Sequence, residues 1–221
     1  MHISRYLDLA ILKPDLTPQQ AREAIALGIR CNARTVCVRP CDISMAAALC
    51  DGTQTEVSCV LDFPHGCGDS RGKAELAQRY ACLGAREIDM VMNYGLARGG
   101  EWALVEEDIR GVAEAAHRHG VLVKVILETC ELTDAQIRRA TEASVAAGAD
   151  FVKTSTGFAS GGATPEAVRA MLEAAAGRIL VKASGGIRDY QTARMYVDMG
   201  AQRLGVGYAA AEAICAGQDE A

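Results

Sequence analysis

The sequence predicts an α/β fold, a single (β/α)8 barrel spanning residues 1–221, and three observations carry that prediction. Eight short runs rich in Val, Ile and Leu alternate with helix-length segments, at a spacing of about 28 residues that suits a β/α barrel or a doubly wound sheet. Gly28, Gly52, Gly84, Gly120, Gly148, Gly177 and Gly200 each lie shortly before one of these runs. Glycine closes helices in the left-handed conformation, so each reads as a helix end feeding a strand. The even spacing and the count of eight favour the barrel, and no Pro- or Ser-rich linker marks a second domain.

In chain order, the strands are expected at Tyr6–Ala10, Thr35–Val38, Val57–Leu61, Glu87–Val91, Leu122–Ile126, Asp150–Lys153, Ile179–Lys182 and Arg203–Val206. Helix starts are marked between them. Thr17-Pro18-Gln19-Gln20 and Thr133-Asp134-Ala135-Gln136 are capping boxes, and Thr164-Pro165 puts proline at the first helical position. The tail Gly217–Ala221 is expected to fray.

Composition narrows the function. Half of the residues are hydrophobic and 5% are aromatic, which fits tightly packed helices over buried strands. A net charge of −5 argues against nonspecific nucleic-acid binding but leaves room for a local anion site. Met1 to Leu12 is too short and too charged for a signal peptide, and no run approaches the roughly 18 apolar residues of a membrane span. The nine cysteines are scattered and lack any C-x-x-C pair. They read as reduced thiols of a cytoplasmic enzyme rather than a disulfide framework or zinc site.

In a β/α barrel the reactive groups sit at the C-terminal ends of strands. Those ends hold Asp8, Cys37, Asp62, Asp89, Glu128, Lys153-Thr154-Ser155, Lys182-Ala183-Ser184 and Gly205-Val206-Gly207. Lys153 and Lys182 close adjacent predicted strands, about 4.8 Å apart if paired. Two ammonium groups so close disfavour double protonation, and one neutral amine is what attack on a carbonyl requires. The plain alternative is a pair of surface lysines capping strand ends. Asp89 lies in a strand that is apolar apart from its acids, so it is either a proton shuttle or a structural partner of Lys124 or the other lysines. Lys124 and Glu128 are expected on one strand face, as a second network that orders the site or takes part in the chemistry.

Ser184-Gly185-Gly186-Ile187-Arg188 and Gly205-Val206-Gly207 are turns whose amides suit a phosphate, with Ser155, Thr156 and Gly157 offering further donors. His117 and His119 read as a solvated helix end, and His65 as a loop residue near the mouth. No His/carboxylate set has metal spacing and no G-x-G-x-x-G opens a helix, so neither a metal nor a nicotinamide cofactor is expected.

Phe151-Val152-Lys153-Thr154-Ser155-Thr156-Gly157-Phe158 together with Val181-Lys182-Ala183-Ser184-Gly185-Gly186-Ile187-Arg188 resembles the deoxyribose-phosphate aldolases. Glu87-Ile88-Asp89-Met90-Val91, Lys124-Val125-Ile126-Leu127-Glu128-Thr129 and Val36-Cys37-Val38-Arg39-Pro40 extend the resemblance from about Asp8 to Gly205. It implies cofactor-free cleavage of 2-deoxyribose 5-phosphate to glyceraldehyde 3-phosphate and acetaldehyde. Lys153 would form the Schiff base, Lys182 would depress its pKa, and Asp89 would move protons. Substrate contacts would come from Asp8, Cys37, Thr154, Ser155, Gly157, Ser184, Gly185, Gly186, Arg188, Gly205 and Gly207. The family also admits a homodimer, although no interface patch is readable here.

The sequence departs from the family where Gly205-Val206-Gly207-Tyr208 replaces a hydroxyl-bearing turn, where Ala10 replaces the threonine of Asp-x-Thr, and at Arg39, where many relatives carry Asn. These changes keep open a Schiff-base aldolase for an unphosphorylated or differently charged sugar aldehyde. A silent barrel with a binding role is the alternative from another class, and a barrel isomerase a weaker enzyme alternative.

Overall fold

The computed structural model describes residues 2–219. Eight parallel strands close into a barrel in sequential order: β1 (Leu7–Ile11), β2 (Thr35–Val38), β3 (Glu56–Leu61), β4 (Glu87–Val91), β5 (Leu122–Ile126), β6 (Phe151–Lys153), β7 (Leu180–Ser184) and β8 (Arg203–Gly207). Around them run α1 (Pro18–Arg30), α2 (Ile43–Cys50), α3 (Ser70–Cys82), α4 (Tyr94–Gly99), α5 (Trp102–His117), α6 (Asp134–Ala146), α7 (Pro165–Ala175), α8 (Tyr190–Met199) and α9 (Ala211–Asp219). The fold is the expected (β/α)8 barrel. The strands are buried along almost their whole length, as sheets covered on both faces must be. No helix among the described residues is long and apolar enough to cross a membrane.

Local sequence signals explain the helix ends. Thr17 and Thr133 both complete capping boxes, with Gln20 and Gln136 reaching back. Thr164 caps α7 through the Ala167 amide, with Pro165 at its first position. Gly52, Gly84, Gly120, Gly148, Gly177 and Gly200 all have positive φ, as predicted. Gly28 does not: it lies inside α1, and Asn32 takes the left-handed conformation instead. A Cβ at Gly28 would sit 2.5 Å from Val36 Cγ1, so this glycine lets α1 approach β2.

Two strand boundaries differ from expectation in ways that matter for the site. Tyr6 belongs to a 3-10 turn (Ile3–Tyr6), so β1 runs from Leu7 to Ile11 and places Asp8 in the barrel's depth. β7 starts one residue late and continues to Ser184. The tail is also better anchored than expected. Gly217 to Asp219 continue α9, and Gln218 Oε1 accepts a 2.6 Å hydrogen bond from the Ile3 amide. Glu220 and Ala221 lie outside the described residues.

Candidate active site

Pairing aligns Lys153 on β6 with Lys182 on β7, and Asp89 on β4 with Lys124 on β5. All four side chains point into the barrel and are buried. Asp89 Oδ2 accepts from Lys153 Nζ and from Lys182 Nζ, each at 2.8 Å. Its other oxygen accepts from Lys124 Nζ at 2.8 Å and from Ser58 Oγ at 3.1 Å. Asp89 is therefore shared among three amines, Lys124 and the two strand-end lysines.

Beneath this lies a layer the sequence did not reveal. Arg203, the first residue of β8, donates to Asp8 at 2.7 Å and to both Glu87 oxygens at 2.7 and 3.1 Å. Lys182 Nζ lies 2.5 Å from Asp8 Oδ2, and Lys124 Nζ lies 2.5 Å from Glu87 Oε2. Three carboxylates (Asp8, Glu87, Asp89) thus face four cationic side chains (Lys124, Lys153, Lys182, Arg203). A dry cluster with one surplus cation favours release of one proton, because an uncompensated buried charge costs several kcal/mol or about that order.

The electrostatics identify which cation gives it up. Burial lowers the Lys153 pKa, and Lys182 adds to this, so that the pull of Asp89 does not restore its usual value. Burial also opposes charge on Lys124, Lys182 and Arg203, but their carboxylate partners override it and raise all three. Lys153 is the amine most readily neutral, with Asp8, Glu87 and Asp89 remaining ionised.

A cavity of about 420 Å3 opens at the C-terminal ends of β7 and β8, beyond the lysines. Ser184, Gly185, Gly186, Gly205 and Gly207 line it, together with Thr156 and Gly157 beyond Lys153. Gly185 and Gly186 both have positive φ. Gly205 serves a different purpose: a Cβ there would meet Ser184 Oγ at 2.3 Å and Lys182 Cε at 3.2 Å, so glycine leaves room for the lysine stem. Tyr208 lines the cavity and narrows it. The start of the 3-10 turn Tyr208–Ala210 has no side-chain cap, whereas α8, behind Gly185–Arg188, is capped by its own Asp189. Backbone of both Gly185–Ile187 and Gly207–Ala209 lines the cavity, so both turns can bring amide donors to an anion.

Several residues expected at the substrate do not line this cavity. Asp8 is fully buried, holds Lys182, Lys124 and Arg203, and does not itself line the cavity. Thr154 Oγ1 stitches β6 to β7 through the Ser184 amide and carbonyl, and Ser155 Oγ faces Thr129. Cys37 packs with Leu12 and Val60, and burial pushes its thiol pKa up. Arg188 is exposed and does not line the cavity. His65 lines a separate depression with Asp62 and Phe63, and His117 pairs with Asp150 at 2.8 Å instead of facing only solvent.

Glu128 does not join Lys124. β5 ends at Ile126, and Glu128 turns away with φ 55°. Its carboxylate receives the Thr156 amide at 3.2 Å and the Thr156 hydroxyl at 2.5 Å, fixing the turn that follows Lys153. Arg39 is likewise no free anion contact. It bonds Asp42 at 2.7 Å and the carbonyls of Lys13, Pro14 and Leu16, thereby holding the loop after β1. That loop carries Lys13, an exposed cation on the cavity rim. Lys13 was missed because only its position directly after a strand end pointed to it.

Comparison with known proteins gives the family. Residues 5–217 match the model of the DeoC/LacD family aldolases. A deoxyribose-phosphate aldolase of an Exiguobacterium species is 44% identical over 206 residues, covering 93% of this chain and 92% of its own. Among solved structures, an aldolase designated QR15 superposes with a TM-score of 0.92 at 34% identity, covering 99% of this chain and 96% of its own. The deoxyribose phosphate aldolase of Aeropyrum pernix, described as tetrameric, has a TM-score of 0.90 at 28% identity, with 98% and 91% coverage.

Proposed function

The chain belongs to the DeoC/LacD family of aldolases, and we propose that Lys153 is the amine through which it works. Its reaction is the reversible cleavage of 2-deoxy-D-ribose 5-phosphate to D-glyceraldehyde 3-phosphate and acetaldehyde. The observation that carries the role of Lys153 is its place as the surplus cation of a buried cluster, 2.8 Å from an Asp89 oxygen shared with Lys182.

The chemistry follows from that placement. Neutral Lys153 Nζ attacks C1 of the open-chain sugar, and the adduct loses water to give a protonated imine. A base removes the C3 hydroxyl proton, the C2–C3 bond breaks, and its electron pair moves into the imine to form an enamine. C3 leaves as the aldehyde of glyceraldehyde 3-phosphate. The enamine carbon is then protonated, and water releases acetaldehyde and regenerates the amine. Asp89 and Lys182 exchange these protons, since both lie within hydrogen-bond reach of Lys153 through one oxygen. Asp8, Glu87, Lys124 and Arg203 keep the shared carboxylate in place and its charge fixed. At the other end, the amides of Gly207–Ala209 and the ammonium of Lys13 receive the phosphate. They take the place of the hydroxyls missing from this turn.

A retro-aldol assay on 2-deoxyribose 5-phosphate tests the role of Lys153. Lys153→Leu is expected to lose turnover by at least three orders of magnitude, and retained turnover would exclude it as the nucleophile. Equal efficiency on unphosphorylated 2-deoxyribose would instead favour the second substrate class, and would remove Lys13 and the Gly207–Ala209 amides from substrate binding. The nine cysteines form no disulfide, which supports a reducing, cytoplasmic setting. A homodimer is the assembly expected in solution, readable by sedimentation velocity.

A further inference from the structure

The N-terminal end of the barrel, opposite the catalytic mouth, holds a second cavity of about 550 Å3. It opens where strands begin, and Arg5, Arg34 and Arg203 all line it, with Gln202, Tyr6 and Phe151. Three guanidinium groups around one opening are hard to account for by packing, because like charges repel and each carries a desolvation cost. Their compensation is incomplete. Arg34 pairs with Glu56 at 2.8 Å, and Arg203 is engaged inward by Asp8 and Glu87. Arg5 uses one terminal nitrogen on neutral acceptors, the carbonyls of Asn32, Ala33 and Gln54 and the Asn32 side chain. No carboxylate lies within ion-pair distance of Arg5 among the described residues. Burial, followed by repulsion from Arg34, lowers its pKa, and the Glu56 carboxylate only partly offsets this.

The walls add shape. The Arg203 guanidinium lies 5.1 Å from the Phe151 ring centre and contributes charge to the wall. Its terminal nitrogens are held by Asp8 and Glu87, which leaves the forks of Arg5 and Arg34 to a ligand. Leu122 and Leu180 complete an apolar side. Guanidinium forks match the two oxygens of a carboxylate or phosphate, while the apolar side suits a short carbon body. We propose that this cavity is an anion-binding site, separate from the catalytic mouth, for a phosphate or carboxylate group carried on a small organic molecule. Through Arg203, Asp8 and Lys182 it connects to the lysine cluster, so an occupant's charge adds to the field that governs Lys153.

Equilibrium dialysis with labelled inorganic phosphate at low ionic strength tests the site. Wild-type protein is expected to bind one equivalent more per chain than the Arg5→Gln/Arg34→Gln double variant, with deoxyribose 5-phosphate turnover kept in both. Because Arg5 also ties backbone segments together, Gln202→Glu provides an independent variant. Its carboxylate keeps an acceptor for the Val181 amide, which Gln202 now bonds at 2.8 Å, but repels an anion. It too is expected to lose the extra equivalent. Equal phosphate binding by wild type and Gln202→Glu would overturn the proposal.

Discussion

Replacing Lys182 by methionine removes one charge from the amine cluster while keeping an unbranched side chain, and its effect on Lys153 has a definite sign. Both lysine nitrogens lie 2.8 Å from the same Asp89 oxygen. At a mutual distance of about 5 Å and an effective dielectric of about 20, two unit charges repel by about 3 kcal/mol. That repulsion disfavours the protonated form of Lys153. Lys182→Met also frees Asp89 to pair more fully with Lys153, which acts in the same direction. The Lys153 pKa is therefore expected to rise, which lowers its neutral fraction at pH 7 and slows attack on a carbonyl. The assay is the initial rate of cyanoborohydride-trapped adduct formation with acetaldehyde across pH, which follows the neutral amine. The midpoint should move to higher pH in Lys182→Met, and to lower pH in Asp89→Asn, where an attracting charge is lost. A Lys182→Met midpoint that stays in place or moves down would refute the view that Lys182 depresses Lys153.

Other expectations follow from the same coordinates. Burial opposes ionisation of Asp8, but Lys124, Lys182 and Arg203 outweigh it and hold the carboxyl below its ordinary 3.8. A carboxyl with a depressed folded pKa contributes stability that is present above the unfolded value and lost as pH falls toward the folded one. Thermal melts should therefore show stability falling progressively below about pH 4, and a flat profile down to pH 2 would contradict the cluster. Lys73, buried in α3, bonds Asp108 at 2.7 Å and the carbonyls of Gly66 and Val91. Lys73→Met should cost about 3–5 kcal/mol in denaturant unfolding, because Asp108 is left as an unpaired buried charge. Gly28→Ala should lose about 1–2 kcal/mol net, since overpacking against Val36 outweighs the gain in helix propensity. Gly111→Ala in α5, whose nearest neighbour would be 3.8 Å away, serves as the tolerated control in the same melts.

Much of the architecture was legible because it rests on local rules. Left-handed glycines, capping boxes and β-branched runs each report a short stretch of backbone, and they placed all eight strands to within two residues. Gly28 misled because a close helix–strand approach also demands glycine, and sequence alone does not separate that need from a helix end. Lys153 and Lys182 were legible because charges that end buried runs are rare. Arg203 and Glu87 were not, since a charge at the start of a strand reads as a solvated edge. Only the closed barrel turns both inward, where Glu87 and Asp89, two residues apart on β4, face the same interior. Alternation along that strand was the available signal. Asp8 was placed too near the mouth because a one-residue shift of β1 moves it down the barrel axis. Glu128 was assigned to a strand face because its left-handed conformation, two residues beyond the expected end of β5, has no glycine to announce it.

The most direct measurement of the central claim is borohydride trapping of the protein with acetaldehyde, followed by peptide mapping. The expected result is a single reduced adduct on Lys153, absent from Lys153→Leu and slowed but still on Lys153 in Lys182→Met. An adduct on Lys182 or Lys124, or none on any lysine of a protein that still turns over deoxyribose 5-phosphate, would contradict it.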